Sequence, residues 1–182
     1  ANAGCLRAQV ELGLVAWRAR RLEPRADVRA VYWLQKAAGQ GDAEAKALLD
    51  KIAPPVRKPE WAATARASFN RGVSSQYPFL AARVELAYWF GLTRAEALLI
   101  NVETADHGHC LEVDIREKHP RSRRRLVQVQ TGEKRQALER ASRMFDIADI
   151  QGELGPEGNY RQRLYRIRSL IAQQRTQPGR RI

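Results

Sequence analysis

Apolar residues recur at helical spacing over the first fifty residues of the chain. The first helical face is formed by residues separated by four, four and three positions: Leu6, Val10, Leu14 and Trp17. We expect Asp27 to cap a second helix over 28–38 and Asp42 to cap a third over 43–52. The pattern therefore predicts helical hairpins over this part of the chain.

A proline-rich stretch at 53–60 has no apolar periodicity and predicts a domain boundary. Beyond it, two segments alternate apolar and polar residues, 111–115 and 126–130, and we expect them to form strands joined by the basic connection 117–125. Helices are expected over 61–71, over 77–90, over 94–100 with Thr93 as cap, over 132–145, and from 160 with Asn159 as cap. A loop is expected over 150–158, and the tail from Thr176 is expected to fray.

The order of these elements predicts a mainly α protein with a small antiparallel β-hairpin. We expect helical-repeat-like hairpins over 1–54, a linker at 55–60 and an α+β domain over 61–182. Apolar residues make up 44% of the chain, which is enough to bury a core. No apolar run approaches the roughly 20 residues that span a bilayer, so we expect no membrane partner. Two cysteines suit a reducing, cytoplasmic compartment better than a disulfide scaffold.

The charge of the chain is strongly basic and unevenly distributed. Its 32 Lys and Arg residues exceed its 20 Asp and Glu residues, which gives a net charge of +12. Residues 121–182 alone carry +9. A basic C-terminal third indicates a polyanionic partner, most simply nucleic acid. The alternative is a solvated, arginine-rich surface that reflects genomic composition.

Three stretches near the N-terminus, Ala8–Gly13, Ala30–Ala38 and Gln40–Ala45, resemble a Sel1-like repeat. The resemblance covers about one repeat and implies a helix–turn–helix that contacts other proteins. The partner-binding residues expected from it are Trp17, Tyr32 and Trp33. About three stacked repeats are normally needed to bury a continuous core, so a helical cap on the following domain is an equally good interpretation.

The segment 80–170 resembles the front half of a tyrosine recombinase (phage integrase) catalytic domain. The resemblance covers about half of the chain and depends on three features: Glu85–Leu98, the hairpin with Lys118, and the helix 160–171. In that family two arginines hold the scissile phosphate, a hairpin lysine acts as general acid and a tyrosine is the nucleophile. Lys118 matches the lysine, but Thr93 occupies the position of the first arginine. The later His-x-x-Arg box and the nucleophilic tyrosine do not occur before Ile182. Two explanations fit the missing groups: a degenerate, C-terminally truncated relative that does not cut DNA, or a fragment whose missing half supplies the chemistry. Thr93 favours the first, because a fragment would keep the arginine, so the resemblance implies a pseudoenzyme from a mobile genetic element.

We therefore expect a non-catalytic protein that binds the phosphate backbone of double-stranded DNA and needs no cofactor. The expected DNA-contacting residues are Arg94, Lys118, His119, Arg121, Arg123, Arg124, Arg125 and Arg161. The alternative is a protein-interaction adaptor that acts through the Sel1-like repeat on a recombinase or another protein of the element. A third hypothesis, an active recombinase completed by another chain, requires Thr93 or Arg94 to do the work of the first arginine.

Other chemical motifs are weak. The run 106–110 contains two histidines, an aspartate and a cysteine, but adjacent residues do not give the spaced pairs that a structural zinc site needs. We interpret this run as a polar turn before a strand. The chain contains no glycine-rich phosphate loop of the dinucleotide-binding or P-loop type.

Overall fold

The computed structural model describes residues 5–145 and 158–176. Over these residues the chain is mainly helical with one small antiparallel hairpin, which confirms the predicted fold class. The helices are α1 (Leu6–Ala19), α2 (Ala26–Gly39), α3 (Ala43–Ile52), α4 (Glu60–Ser68), α5 (Arg71–Gln76), α6 (Pro78–Phe90), α7 (Arg94–Leu99), α8 (Val102–Ala105), α9 (Gly132–Phe145) and α10 (Tyr160–Thr176), and the strands are β1 (Cys110–Val113) and β2 (Arg125–Gln128). The predicted loop over 150–158, apart from its last residue, and the tail beyond Thr176 lie outside the described residues.

The chain divides into two compact units. The first comprises Ala1–Pro55, Ala105–Val113 and Arg123–Gln130, and the second comprises Val56–Thr104, Asp114–Ser122 and Thr131–Ile182. The first division between them falls at Pro55, where the proline-rich linker was expected to begin. The two strands, which were expected in the C-terminal domain, instead belong to the first unit, because Cys110 and Leu126 are buried among its helices.

Close packing of α1 against α2 builds the first unit. A Cβ atom at Gly13 on α1 would lie only 2.7 Å from Cγ of Leu34 on α2, so a glycine is needed at this crossing. Leu34 is fully buried. The surrounding core consists of small and aliphatic residues of α2 and α3, among them Val31, Ala37, Ala45 and Leu49. The small residue on α1 therefore lets the two helices share one apolar core.

Side-chain caps begin three of the helices at the predicted positions. The Asp42 carboxylate accepts a hydrogen bond from the third residue of α3, and the Asn159 side chain does the same for α10. The Thr93 hydroxyl accepts from the backbone N–H of Glu96 at 3.2 Å, and the Glu96 carboxylate accepts from the backbone N–H of Thr93 at 2.7 Å. This reciprocal pair is a capping box, and it fixes the start of α7.

The predicted cap of α2 was wrong. The helix begins at Ala26, after Arg25 adopts the left-handed conformation with φ of 60°. Asp27 therefore lies inside the first turn of α2, and its carboxylate pairs with Arg124 instead. The Asp27 carboxylate also accepts from the backbone N–H of Val28 at 3.0 Å, but it does so from inside the helix and not from the capping position.

Both strands are four residues long and pair in the register Leu111↔Val127. The predicted first strand ends early because the Asp114 carboxylate accepts hydrogen bonds from the backbone and guanidinium of Arg116, which turns the chain. The predicted alternation fails in β2, where Gln128 is buried and its amide donates to the carbonyl of Ala53. That hydrogen bond satisfies a polar group that would otherwise be costly to bury.

In the second unit, α6 packs against α4, α5, α7 and α9. A buried cluster, Ala65, Leu80, Val84, Leu98 and Ile167, joins α4, α6, α7 and α10. Two arginines are also buried: Arg83 donates to the carbonyl of Ala97 and Arg163 to that of Leu98, each at 3.0 Å. These guanidinium groups cap the last turn of α7, where cations are favourable. The short helices α5 and α8 were not predicted.

Candidate nucleic-acid interface

The connection between the two strands carries the densest run of predicted DNA-contacting residues. The buried side chain of Ile115 lies at the start of this connection, and its carbonyl accepts from the backbone N–H of Lys118 at 3.1 Å and of His119 at 2.7 Å. A further turn joins the N–H of Ser122 to the carbonyl of His119 at 2.9 Å. The backbone of this turn, which lies in the second unit, is therefore held by its own hydrogen bonds. Lys118, His119 and Arg121 all project from it as exposed side chains.

Three of the cations in this connection have side chains without partners in the part of the chain that the structure describes. Within the described ranges 5–145 and 158–176, Lys118, Arg121 and Arg123 form no side-chain hydrogen bond or ion pair. All three are exposed, whereas Arg125 is half-buried. An exposed cation without a carboxylate partner keeps its full charge for an external anion. Lys118, Arg121 and Arg123 are therefore the cations of this connection that stay available to an external anion.

Arg124 has a different environment from its neighbours. Its guanidinium pairs with both carboxylate oxygens of Asp27 and, at 2.6 Å, with Glu112. The other oxygen of Glu112 lies 2.8 Å from Nε2 of His107. The Arg124 side chain is only 24% exposed, and each carboxylate side chain is 17% exposed. The phosphate contact predicted for Arg124 is not tested by the structure, but its charge is already paired with two carboxylates of the first unit, so we leave it out of the set of available cations.

The same cluster shifts the pKa values of its members. Burial raises the pKa of the Asp27 carboxyl, but the hydrogen bonds and charge of Arg124 outweigh it, so that pKa lies below its usual value. Burial also raises the pKa of Glu112, and His107 and Arg124 together lower it further than burial raises it. The hydrogen bond with Asp27 raises the pKa of Arg124. All three groups are therefore charged at neutral pH.

The remaining two predicted DNA contacts lie on helices of the second unit. Arg161 is exposed in the first turn of α10. Arg94 is exposed at the first residue of α7, and its guanidinium carbon lies 5.5 Å from the ring centroid of Trp61. Arg94 also lines an open groove of about 630 Å³. The groove lies between α7, α10 and the segment that precedes α4.

Three cations of this groove were not predicted from the sequence. Arg57 and Lys58 lie in the proline-rich stretch, which was interpreted only as a linker, and Arg168 lies on α10. Trp61 and Tyr160 supply aromatic rings to the same groove. The sequence signal that could have found them is the adjacency of an Arg-Lys pair and a tryptophan at 57–61.

The predicted partner-binding aromatic residues are all half-buried in the first unit. Trp17 packs against its core, with the guanidinium of Arg20 4.0 Å from its ring centroid. Tyr32 and Trp33 contact each other edge to face at 5.0 Å, and the Lys36 ammonium lies over both rings. These rings therefore contribute to the packing of their own unit.

The polar run before β1 is divided among different partners. The ring of His107 contacts Glu112, whereas Nε2 of His109 lies 2.8 Å from the carbonyl of Val28. Cys110 is buried. Among the residues that the structure describes, no three His, Cys, Asp or Glu side chains are grouped so that they could hold a metal ion.

None of the described helices combines the length and apolar character needed to cross a membrane. Comparison with known proteins found no matching family model, no similar curated protein and no similar solved structure.

Proposed function

We propose that this protein binds double-stranded DNA through its phosphate backbone and does not cut it. The observation that carries the proposal is the presence, within six consecutive residues, of Lys118, Arg121 and Arg123 as exposed cations that have no side-chain partner among the described residues. Phosphate contacts position a protein on DNA without reading its sequence, so we expect little sequence preference from these residues alone.

The spacing of these cations suits a duplex. The stretch 118–123 spans at most about 20 Å when extended, whereas B-DNA presents one phosphate charge per roughly 1.7 Å of its axis. Chain connectivity therefore keeps all three side chains within reach of neighbouring phosphates. Each neutralised phosphate contributes roughly −0.9 to the slope of log affinity against log salt, so the three cations together contribute about −2.7.

The environment of Thr93 supports binding without catalysis. In the recombinase resemblance, the first phosphate-holding arginine falls at this position. Here the hydroxyl of Thr93 accepts a hydrogen bond that caps α7. An arginine has no acceptor and cannot make this cap. The same position therefore serves the stability of a helix in this protein.

The adaptor hypothesis has weaker support. It assigns partner binding to Trp17, Tyr32 and Trp33, and each of these rings is half-buried against its own unit. A ring that already packs inside its unit offers less surface to a partner than an exposed one.

The proposal is tested by fluorescence anisotropy of a labelled DNA duplex across a range of salt concentrations. We expect the triple variant Lys118→Ala/Arg121→Ala/Arg123→Ala to lose about 2.7 from the magnitude of the salt slope. The matched control removes the same charge from α1 and the turn after it, in the triple variant Arg7→Ala/Arg18→Ala/Arg21→Ala, whose three parent side chains are exposed. We expect the control to keep the wild-type slope.

Two results would refute the proposal. If the wild-type protein fails to bind duplex DNA at low salt, the protein does not have this function. If the triple variant of Lys118, Arg121 and Arg123 and the triple variant of Arg7, Arg18 and Arg21 weaken binding equally, the effect is one of net charge. The connection between β1 and β2 is then not the contact surface.

A further inference from the structure

The groove of the second unit combines positive charge with aromatic surface. Its lining includes the cations Arg57, Lys58, Arg94 and Arg168, and the rings of Trp61 and Tyr160. No acidic residue is found among the described residues that line it. All four cations are exposed. The volume of about 630 Å³ is within the range of ligand-binding clefts, roughly 300–1,000 Å³.

The ring of Trp61 is held in place by a hydrogen bond and by packing. The indole N–H of Trp61 donates to the carbonyl of Leu92 at 3.2 Å, and part of the ring packs against the core of the unit. Gly91 allows the chain to pass close by, because its φ of 62° is left-handed and a Cβ there would lie 2.9 Å from the carbonyl oxygen of Arg57. A ring fixed in this way loses little conformational freedom when a planar group stacks on it.

Two further aromatic residues, Tyr88 and Trp89, contact Lys58, which also lines the groove. The Lys58 ammonium donates to the hydroxyl of Tyr88 at 3.0 Å and lies 4.8 Å from the ring centroid of Trp89. The two rings meet edge to face at 5.2 Å, and the guanidinium of Arg66 lies 4.5 Å from the Tyr88 centroid. All of these residues belong to the second unit. Lys58 therefore lines the groove that contains Trp61 and also contacts these two half-buried rings.

We propose that this surface binds single-stranded nucleic acid, with unpaired bases stacked in the groove at Trp61 and on the Tyr88–Trp89 pair. The exposed cations of the groove would hold the intervening phosphates. Cations that track a backbone, interleaved with rings on which bases stack, are the combination used for unpaired strands. A duplex keeps its bases stacked inside, so it uses the charge of such a surface but not its rings.

Arg94 has a specific place in this arrangement. Its guanidinium lies over Trp61 at 5.5 Å, and both groups line the same groove. An exposed cation–π contact is weak, so a base can displace the guanidinium and leave it free to bind the adjacent phosphate. A base can also stack directly on the guanidinium plane. Either way, the loss of Arg94 weakens the binding of an unpaired strand.

This proposal does not depend on Lys118, Arg121 or Arg123, which carry the proposed binding of duplex DNA. The proposal for single-stranded binding and the proposal for duplex binding can therefore fail separately. The probes are a labelled oligothymidylate of about twelve nucleotides and an abasic strand of equal length and charge. We expect the wild-type protein to bind oligothymidylate at least about fivefold more tightly than the abasic strand, because base stacking adds to the charge. Equal affinity for the two strands would refute stacking.

Two variants of the full chain locate the site. Arg57→Ala/Arg94→Ala/Arg168→Ala removes only exposed side chains, and we expect it to weaken oligothymidylate binding at least about tenfold. The control with the α1 substitutions at Arg7, Arg18 and Arg21 removes the same charge and should bind as the wild type does. Trp61→Phe keeps a ring and should retain the preference for oligothymidylate over the abasic strand.

Trp61→Leu should reduce that preference, because Tyr88 and Trp89 still offer rings for stacking, provided that its circular dichroism spectrum matches that of the wild type. If Trp61→Leu unfolds, the groove triple variant, whose substitutions are all at exposed positions, still decides the question. Unchanged oligothymidylate binding by Arg57→Ala/Arg94→Ala/Arg168→Ala would refute the groove as the binding site. Loss of duplex binding with retained oligothymidylate binding in the variant of Lys118, Arg121 and Arg123 would support two separate surfaces.

Discussion

Replacement of Arg124 tests whether the ion cluster stabilises the first unit. The guanidinium of Arg124 lies between Asp27 and Glu112, all three about one-fifth exposed. Arg124→Met keeps much of the apolar stem but removes the charge and the hydrogen bonds. Two shielded carboxylates would then remain near each other without the cation between them. Glu112 would keep His107 at 2.8 Å, and Asp27 would keep the backbone N–H of Val28 at 3.0 Å. We expect the variant to be clearly less stable than the wild type.

The size of the effect follows from the partial burial of the cluster. Loss of one partner from a fully buried pair costs about 3–5 kcal/mol, whereas an exposed pair contributes only about 0–1 kcal/mol. With side chains that are 17–24% exposed, we expect a loss of about 2–3 kcal/mol in the free energy of unfolding. For a chain of this length, that corresponds to a decrease of roughly 5–10 °C in Tm.

The assay is thermal and urea unfolding followed by far-ultraviolet circular dichroism. The matched control is Arg123→Met, the same change at the adjacent residue, which is exposed and has no side-chain partner within residues 5–145 and 158–176. We expect the control to remain within about 0.5 kcal/mol of the wild type. Equal stability of the two variants would refute the structural role that we give to Arg124.

The pH dependence separates charge from packing. In the wild type, the pKa values of Asp27 and Glu112 lie below their usual values, so the cluster stabilises the protein above about pH 4 and this contribution is lost as the pH falls through the lowered pKa values. In Arg124→Met, burial is no longer opposed by the guanidinium and raises the carboxyl pKa values. Protonation then relieves the unpaired charge, so the stability difference should narrow from pH 7 to about pH 5. A constant difference over this range would indicate lost packing instead.

Two further predictions concern the first unit. Gly13→Ala places a methyl group against the buried side chain of Leu34 and should lower the free energy of unfolding in urea by about 1–2 kcal/mol. In the control Gly39→Ala the new methyl group meets nothing within 4 Å, so that variant should be as stable as the wild type or more stable by about 0.5 kcal/mol. Equal effects of the two substitutions would contradict the close crossing of α1 and α2. Burial, with the nearby carboxylates, raises the pKa of Cys110 to about 12, so a thiol reagent at pH 8 should label only Cys5 in the folded chain and both cysteines in denaturant. Rapid labelling of both in the native protein would overturn this.

Local features of the fold could be predicted from the sequence, whereas long-range pairings could not. The caps Asp42, Thr93 and Asn159 were predictable because each acts on a residue three positions away. Asp27, like Asp42, is an aspartate that comes before a helical pattern, but its carboxylate binds Arg124, which is 97 positions away. No local pattern encodes that partner, so Asp27 was assigned the wrong role and the ion pair of Arg124 was missed.

The same limit applies to the charge of the candidate site. Arg83 and Arg163 are buried and donate to carbonyls of α7, Arg124 is neutralised, and Arg121 and Arg123 are exposed without side-chain partners in the described chain. All five contribute equally to the net charge of +12. Composition therefore indicates a polyanionic partner but cannot separate cations that hold the fold from those that can meet a phosphate.

The distribution of cations also explains why we assign duplex and single-stranded binding to different surfaces. The turn with Lys118 and Arg121 contains charge without an aromatic ring, which suits the outside of a duplex, where only phosphates are accessible along the backbone. In the groove, Arg94 lies beside Trp61, which suits a strand whose bases are unpaired. A protein with both surfaces could hold a duplex next to a single-stranded region. In that case, a probe that joins duplex to single strand should bind more tightly than either part alone, because the second contact becomes intramolecular.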